Sequence, residues 1–241
     1  MRKLPAALVC LFLSAAAFSE GEWESEASQG SGVRQLDFAG FTAVETSYGI
    51  DVKIVQSQSY SVTLFADPDV IDRILVETYG RTLRIDVRRE FLWFGRPMGR
   101  KARVEIQMPD LEGLGASGGS RLDVDMDAGA GGLLVRLSGG SSFRGDVHAG
   151  DMEINGSGGS SAELTGGCGR LRLHGSGGGF YGLFDFTARE LEAELSGGSA
   201  VEASVTDVVS VRGSGGSHVV YRGNARIERQ QLSGGSWIRR D

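Results

Sequence analysis

The tetrapeptide Ser-Gly-Gly-Ser stands at 117–120, 138–141, 157–160, 196–199, 214–217 and 233–236, and Ser-Gly-Gly-Gly stands at 176–179. The first serines, at positions 117, 138, 157, 176, 196, 214 and 233, are therefore spaced by 21, 19, 19, 20, 18 and 19. A flexible Gly/Ser linker has no physical reason to keep such a period. Fixed self-similarity with a short period marks a solenoid, in which each repeat buries its apolar face against the next.

The flanks say which kind. Leu133, Val135 and Leu137 precede Ser138; Leu171 and Leu173 precede Ser176; Leu191, Ala193 and Leu195 precede Ser196; Val209 and Val211 precede Ser214. Charged and polar residues alternate with them, so the period is two and the segments are strands with one buried face. A second short strand follows each corner, seen in Leu122 and Val124, Ala162 and Leu164, Tyr181 and Leu183, Val201 and Ala203, Val219 and Tyr221, with Ile238 in the same slot of the last repeat. Phe143 fills that slot in the second repeat, where Gly145 interrupts the pair. Each repeat therefore reads as strand, Ser-Gly-Gly-Ser corner, strand, second turn. Antiparallel hairpins would also alternate, but the same slots recur on the same face in every repeat, which favours coiling. The corners then stack on one edge, where glycine allows close backbone approach and serine hydroxyls meet unpaired backbone groups.

Residues 33–110 are less regular but similar in kind. "GIDVKIVQS" at 49–57, "SVTLFAD" at 61–67, "TLRIDVR" at 82–88 and "RVEIQMP" at 103–109 alternate well, and "DPDVIDRILVETYG" at 67–80 leaves room for a short helical turn. The expectation is a less regular β portion over 34–110 that caps one end of the regular solenoid over 111–241, because an open end exposes core and strand edges.

The beginning of the chain reads as an address. Arg2 and Lys3 precede an apolar run from Leu4 to Phe18 that closes on Ala15, Ala16 and Ala17, which predicts a signal peptide over 1–19. Cys10 lies inside that run, so no lipid anchor is expected. Glu20, Glu22, Glu24 and Glu26 among small polar residues predict a flexible acidic tail over 20–33. Only Cys168 then remains, so the folded chain is read as having no internal disulfide. Glycine is 38 of 241 residues and proline 4, without a three-residue period, which argues against collagen and against a proline-rich disordered chain. A net charge of −6 disfavours a general nucleic-acid binder. No second long apolar run predicts a transmembrane anchor.

The Phe41–Val44 start, the "VKIVQ" strand at 52–56, the "MPDL" step at 108–111 and the repeated "LSGGS" and "GSGGS" corners resemble the autotransporter adhesin head domain, also called the GIN domain. The likeness covers about 34–240. It implies an exported bacterial protein with an all-β, right-handed parallel β-helix, and carries no established catalytic or binding residue. The chain runs to residue 241, so a translocating barrel of its own is not expected after it.

Other motifs weigh little. "GASGG" at 115–119 fits a nucleophile elbow, but Ser117 is the first residue of a corner and no helix follows. Gly113–Gly118 and Gly177–Gly182 match G-x-G-x-x-G without opening a helix. His148, His174 and His218 sit at different offsets in different repeats, and no aspartate recurs at a calcium-binding place, so no metal or other cofactor is expected. No acidic cluster recurs on one outer face, so no catalytic residue is assigned.

"RREFLWFGRPMGRKAR" at 88–103 is the most distinctive segment outside the repeat. Arg88, Arg89, Arg96, Arg100, Lys101 and Arg103 surround Phe91, Leu92, Trp93 and Phe94. It reads either as a binding loop for an envelope protein or glycan, or as a cap folded over the solenoid; the sequence leaves both open. The chain is thus read as an exported, non-enzymatic β-solenoid at the cell envelope, an adhesin or scaffold with Arg88, Arg89, Phe91, Trp93, Phe94, Arg96, Arg100 and Lys101 as candidate contact residues. The alternatives are a carbohydrate-binding or carbohydrate-cleaving β-helix and a periplasmic sensor or assembly protein. Flat solenoid faces also invite homo-oligomers.

Overall fold

The computed structural model of the chain describes residues 32–88 and 102–241. The predicted signal peptide and nearly all of the acidic tail lie outside these residues, as does most of the 88–103 segment. Seventeen strands are found among the described residues: β1 (Gly32–Leu36), β2 (Ala43–Thr46), β3 (Asp51–Gln56), β4 (Ser61–Ala66), β5 (Ile74–Tyr79), β6 (Thr82–Val87), β7 (Ala102–Met108), β8 (Gly113–Ala116), β9 (Arg121–Asp127), β10 (Gly132–Leu137), β11 (Ser142–Gly158), β12 (Ser161–Gly177), β13 (Phe180–Leu195), β14 (Ala200–Gly213), β15 (His218–Arg222), β16 (Arg226–Leu232) and β17 (Trp237–Arg240). They form a β-solenoid of about seven turns. The helical turn expected within 67–80 is a single 3-10 turn, Ile71–Arg73, and β5 follows it at once.

Two ladders of strands run the length of the solenoid. The approach ladder carries the strands that lead into the corners: β8, β10, the later halves of β11 to β14, then β16, all parallel. The exit ladder carries the strands that leave them: β9, the earlier halves of β11 to β14, then β15 and β17, also parallel. Neighbouring turns are about 4.8 Å apart in such a ladder.

Chain order and spatial order part company before β8. The β2–β3 pair lies between β6–β7 and β8–β9, pairing parallel with both. The chain thus lays down an inner turn first, runs outward, and returns to add a turn on the outside before crossing to β8. Its link, Ser47-Tyr48-Gly49-Ile50, is an additional corner of the stack. The Ser117 N–H donates to Thr46 O at 3.0 Å and the Gly49 N–H to Ser120 Oγ at 3.1 Å. Tyr48 holds φ 59° there, a left-handed angle that non-glycine residues take at a cost. Beyond this turn the pairing becomes antiparallel, β1 on β4, β4 on β7 and β5 on β6. Val70, Ile71 and Ile74 are buried where the chain crosses between the two ladders at this end.

The core is a set of side-chain columns. One runs Val52, Leu122, Phe143, Ala162, Tyr181, Val201, Val219, and each of these is 5% exposed or less. Ala162 between Phe143 and Tyr181 keeps the column's volume even, which close packing requires. Tyr181 needs more room still. A Cβ on Gly156 would lie 1.8 Å from the Tyr181 hydroxyl, and one on Gly179 would lie 2.8 Å from it. In five other corners the place of Gly179 is held by a fully buried serine: Ser120, Ser141, Ser160, Ser199 and Ser217. Among the seven repeats, the one corner that departs from Ser-Gly-Gly-Ser does so where the phenol ring needs space.

Candidate functional site

The corner edge is built by glycine. In each corner the first glycine has a positive φ, between 61° and 90°, and from Gly139 onward it rests on the first glycine of the corner before it. A Cβ on Gly177 would approach Gly158 O to 2.7 Å, and one on Gly197 would approach Gly177 O to 2.6 Å. Side chains are excluded twice, by backbone angle and by the neighbouring chain. A smooth stacked edge results, bare of Cβ atoms at its crest.

The two serines of a corner do different work. In three corners the last is buried and its hydroxyl closes the corner: Ser141 Oγ donates to Ser138 O at 2.6 Å, Ser199 Oγ to Ser196 O at 3.1 Å and Ser217 Oγ to Ser214 O at 3.1 Å; the buried Ser160 hydroxyl has no partner among the described residues. The first serine puts its N–H into the ladder, as Ser138 does to Ala116 O and Ser214 to Leu195 O. Its hydroxyl points outward. Among the described residues, Ser117, Ser138, Ser157, Ser176, Ser196 and Ser214 make no side-chain hydrogen bond. Six hydroxyls without a protein partner therefore stand in a row, one per turn.

This row is one side of a groove of about 950 Å³ that follows the solenoid axis. The other side is the last outward column of the approach ladder: Glu45, Gly115, Arg136, Asn155, His174, Glu194, Arg212 and Gln231. Its seven intervals span roughly 34 Å at the usual strand spacing. Arg212 pairs with Glu194, and His174 Nδ1 lies 3.4 Å from Glu194 Oε2. Arg212 Nε also donates to Gln231 Oε1 at 3.2 Å. Arg136 and Glu45 are exposed, without a protein partner among the described residues, and flank the bare backbone of Gly115. Two arginines and two glutamates leave the wall close to neutral with histidine uncharged. The columns beside it are joined in the same way, Arg170 to Glu190 at 2.9 Å and Arg172 to Glu192 at 3.7 Å. Such exposed pairs contribute at most about 1 kcal/mol each, and their effect here is to order the face.

Of the contact residues expected from the sequence, Arg88 is described: it is exposed just after β6, with its N–H donating to Arg73 O at 2.9 Å. Arg89, Phe91, Trp93, Phe94, Arg96, Arg100 and Lys101 lie outside the described residues. Arg103, where the segment rejoins β7, pairs with Glu105 at 3.1 Å and lies over the Phe65 ring at 4.7 Å. Ser117, the residue of the elbow-like motif, sits between two strands, β8 and β9. No cluster that could hold a metal ion is found among the described residues. In "FYGLFDF", Tyr181, Leu183 and Phe186 are core, while Phe180 is 40% exposed and Phe184 lies under the Arg222 guanidinium. The groove was not anticipated from the sequence. Its signal was present in the outward residues Arg136, Asn155 and Glu194, but the alignment of these with the first serines is a property of the stack.

A regular solenoid with stacked glycine corners and a long groove has known relatives. The chain belongs to the family described as "Putative auto-transporter adhesin, head GIN domain", whose profile matches residues 40–225. No curated protein matches the chain. Among solved structures it is similar to a putative adhesin from Bacteroides fragilis NCTC 9343, at 18% identity and a TM-score of 0.75, covering 89% of this chain and 99% of that one. It is also similar to a putative lipid binding protein from Parabacteroides distasonis ATCC 8503, at 14% identity and TM-score 0.65, covering 89% and 98%. A putative adhesin from Parabacteroides merdae ATCC 43184 is similar at 16% identity and TM-score 0.63, with the same coverage. At these identities the likeness establishes the fold. No helix among the described residues is long and apolar enough to cross a membrane.

Proposed function

We propose that this chain is an exported, non-enzymatic β-solenoid of the bacterial envelope, an adhesin or scaffold that holds an extended protein or glycan partner along its corner groove. The observation that carries the reading is the row of six outward hydroxyls with no protein partner. Serine fills that place in all seven repeats; at Ser47, in the additional corner, the hydroxyl instead donates to Asp86 Oδ1 at 3.0 Å. The last serine, which closes the corner by a hydrogen bond at Ser141, Ser199 and Ser217, is the one replaced at Gly179. A nearly neutral, linear groove with a row of hydroxyls along one side suits a chain-like partner bound through many weak hydrogen bonds, each contributing about 1 kcal/mol. Family membership supports the adhesin reading, and the signal-like segment 1–19 supports export.

The test is binding of the purified chain to whole envelopes, beside a variant carrying Ser157→Ala, Ser176→Ala and Ser196→Ala. The expected result is a loss of tenfold or more in affinity with unchanged melting, on the order of 0.5–1.5 kcal/mol per lost bond. Equal binding by the variant would remove the groove from the function. Protease accessibility in intact cells separates the two sites of action: digestion fits an adhesin at the surface, and protection until lysis fits a periplasmic scaffold.

A further inference from the structure

We infer that the last two turns form a cationic, aromatic tip that docks on an anionic lipid surface, independently of the groove. The charge distribution carries the inference. The chain as a whole has a net charge of −6, and residues 178–207 alone hold six acids against Arg189. Residues 208–241 reverse this, with Arg212, Arg222, Arg226, Arg229, Arg239 and Arg240 against Glu228 and Asp241, a net +4. Local pairing neutralises part of the six: Arg212 meets Glu194, Arg222 meets Asp241 at 2.8 Å and Arg226 meets Glu228 at 3.5 Å. Arg229, Arg239 and Arg240 have no carboxylate partner among the described residues; Arg240 donates to Asn224 Oδ1 at 2.8 Å.

Apolar side chains share this end. Trp237 is 42% exposed and Ile227 is 43% exposed, both in the last turn. Trp237 is held in place by stacking on His218, 4.7 Å between ring centres at 13°, with the Arg239 guanidinium 5.7 Å from its ring. An indole and an aliphatic side chain at the same end as guanidiniums that lack a carboxylate partner are the groups that enter a headgroup layer and meet its anions. The groove can follow a polymer because it has two walls. These residues lie on the outermost strands, β16 and β17, which carry no further strand among the described residues, and a flat surface suits them better than a chain.

The experiment is co-sedimentation of the full chain with vesicles of equimolar phosphatidylglycerol and phosphatidylcholine, and with vesicles of phosphatidylcholine alone, at low and high salt. Binding to the anionic vesicles only, released by salt, is expected. The variant with Arg229→Gln, Arg239→Gln and Arg240→Gln should lose about 100-fold in partitioning, roughly fivefold per arginine, with unchanged melting. In a Trp23→Phe, Trp93→Phe background, brominated lipid should quench Trp237, a readout that does not need the arginine variant to fold. Equal sedimentation with neutral vesicles, unchanged binding by the arginine variant, or absence of quenching overturns the inference. So does capture by soluble polyglutamate in place of vesicles, or a loss of binding confined to a Trp93→Ser, Phe94→Ser variant. None of these outcomes bears on the serine variants of the groove.

Discussion

The two edges of the solenoid solve the same problem differently. At one edge a chain turns through four residues, and nearly the same four every time. At the other it turns through "DAGAGG", "HAGD", "TGGCG", "TD" or "RGNA". The corner edge brings backbone onto backbone, glycine on glycine, so neither length nor composition is free to drift. Across the opposite edge β11 to β14 run on without interruption, and the register shifts between Glu163 and Gly166, Leu183 and Thr187, and Ala188 and Glu190 absorb insertions and deletions. The longest spacing, from Ser117 to Ser138, contains the longest second turn, and the shortest, from Ser196 to Ser214, contains "TD". Glycines of the opposite edge come at least as close to the neighbouring turn, an added Cβ lying 2.3 Å from Val147 O at Gly166 and 2.1 Å from Val205 O at Gly223, but they do not recur at one offset. Period is kept by the edge where glycine stacks on glycine turn after turn, and variation collects at the other.

The contrast can be broken most directly by substituting a corner glycine on one edge and a turn residue on the other. Gly177→Val should destabilise by about 3 kcal/mol, since it combines φ +90° with a Cβ 2.7 Å from Gly158 O. Gly158→Val, whose Cβ meets nothing closer than 3.4 Å, should cost about 1–2 kcal/mol. Asp207→Ala on the opposite edge should stay within about 0.5 kcal/mol. Urea melts of the three variants decide it, and equal losses would end the distinction between the edges. Next in size is the space reserved for Tyr181. Gly156→Ala should cost about 1–3 kcal/mol through overpacking and recover much of that when Tyr181→Phe removes the hydroxyl. A double-mutant cycle with no coupling would show that the glycine serves something else.

The last effect belongs to the opposite edge and is confined to high pH. Burial lifts the Cys168 thiol from 9.0 to about 12, Asp151 adding to the rise and a backbone hydrogen bond from Met152 opposing it. The unfolded thiol then ionises before the folded one. Its contribution to stability is complete below pH 9 and declines as pH rises toward 12. Cys168→Ala should flatten that part of the stability profile, and an identical alkaline slope would place the thiol in contact with solvent.

Much of this architecture is legible from alternation and spacing. Leu171 and Leu173 before Ser176, and Tyr181 and Leu183 after it, assign strands, faces and a corner without any knowledge of what lies above or below. That information is local, because side chains in a strand alternate whatever the strand pairs with. The place of β2 and β3 is not local. Their pattern suits any neighbour in the stack, and only the assembled ladders put them between β6–β7 and β8–β9. The corner at Ser47-Tyr48-Gly49-Ile50 was hidden for a related reason, since tyrosine at a left-handed position carries no glycine signal. The candidate groove is likewise a product of registry: Arg136, Asn155, His174 and Glu194 are far apart in the chain and adjacent in space. By itself the sequence determined a coiled β-protein with a repeated glycine corner, because strand alternation and positive-φ turns are written residue by residue. Tertiary structure alone decided the order of the first turns, the room made for Tyr181 and the row of free hydroxyls, because each depends on which turn lies next along the axis.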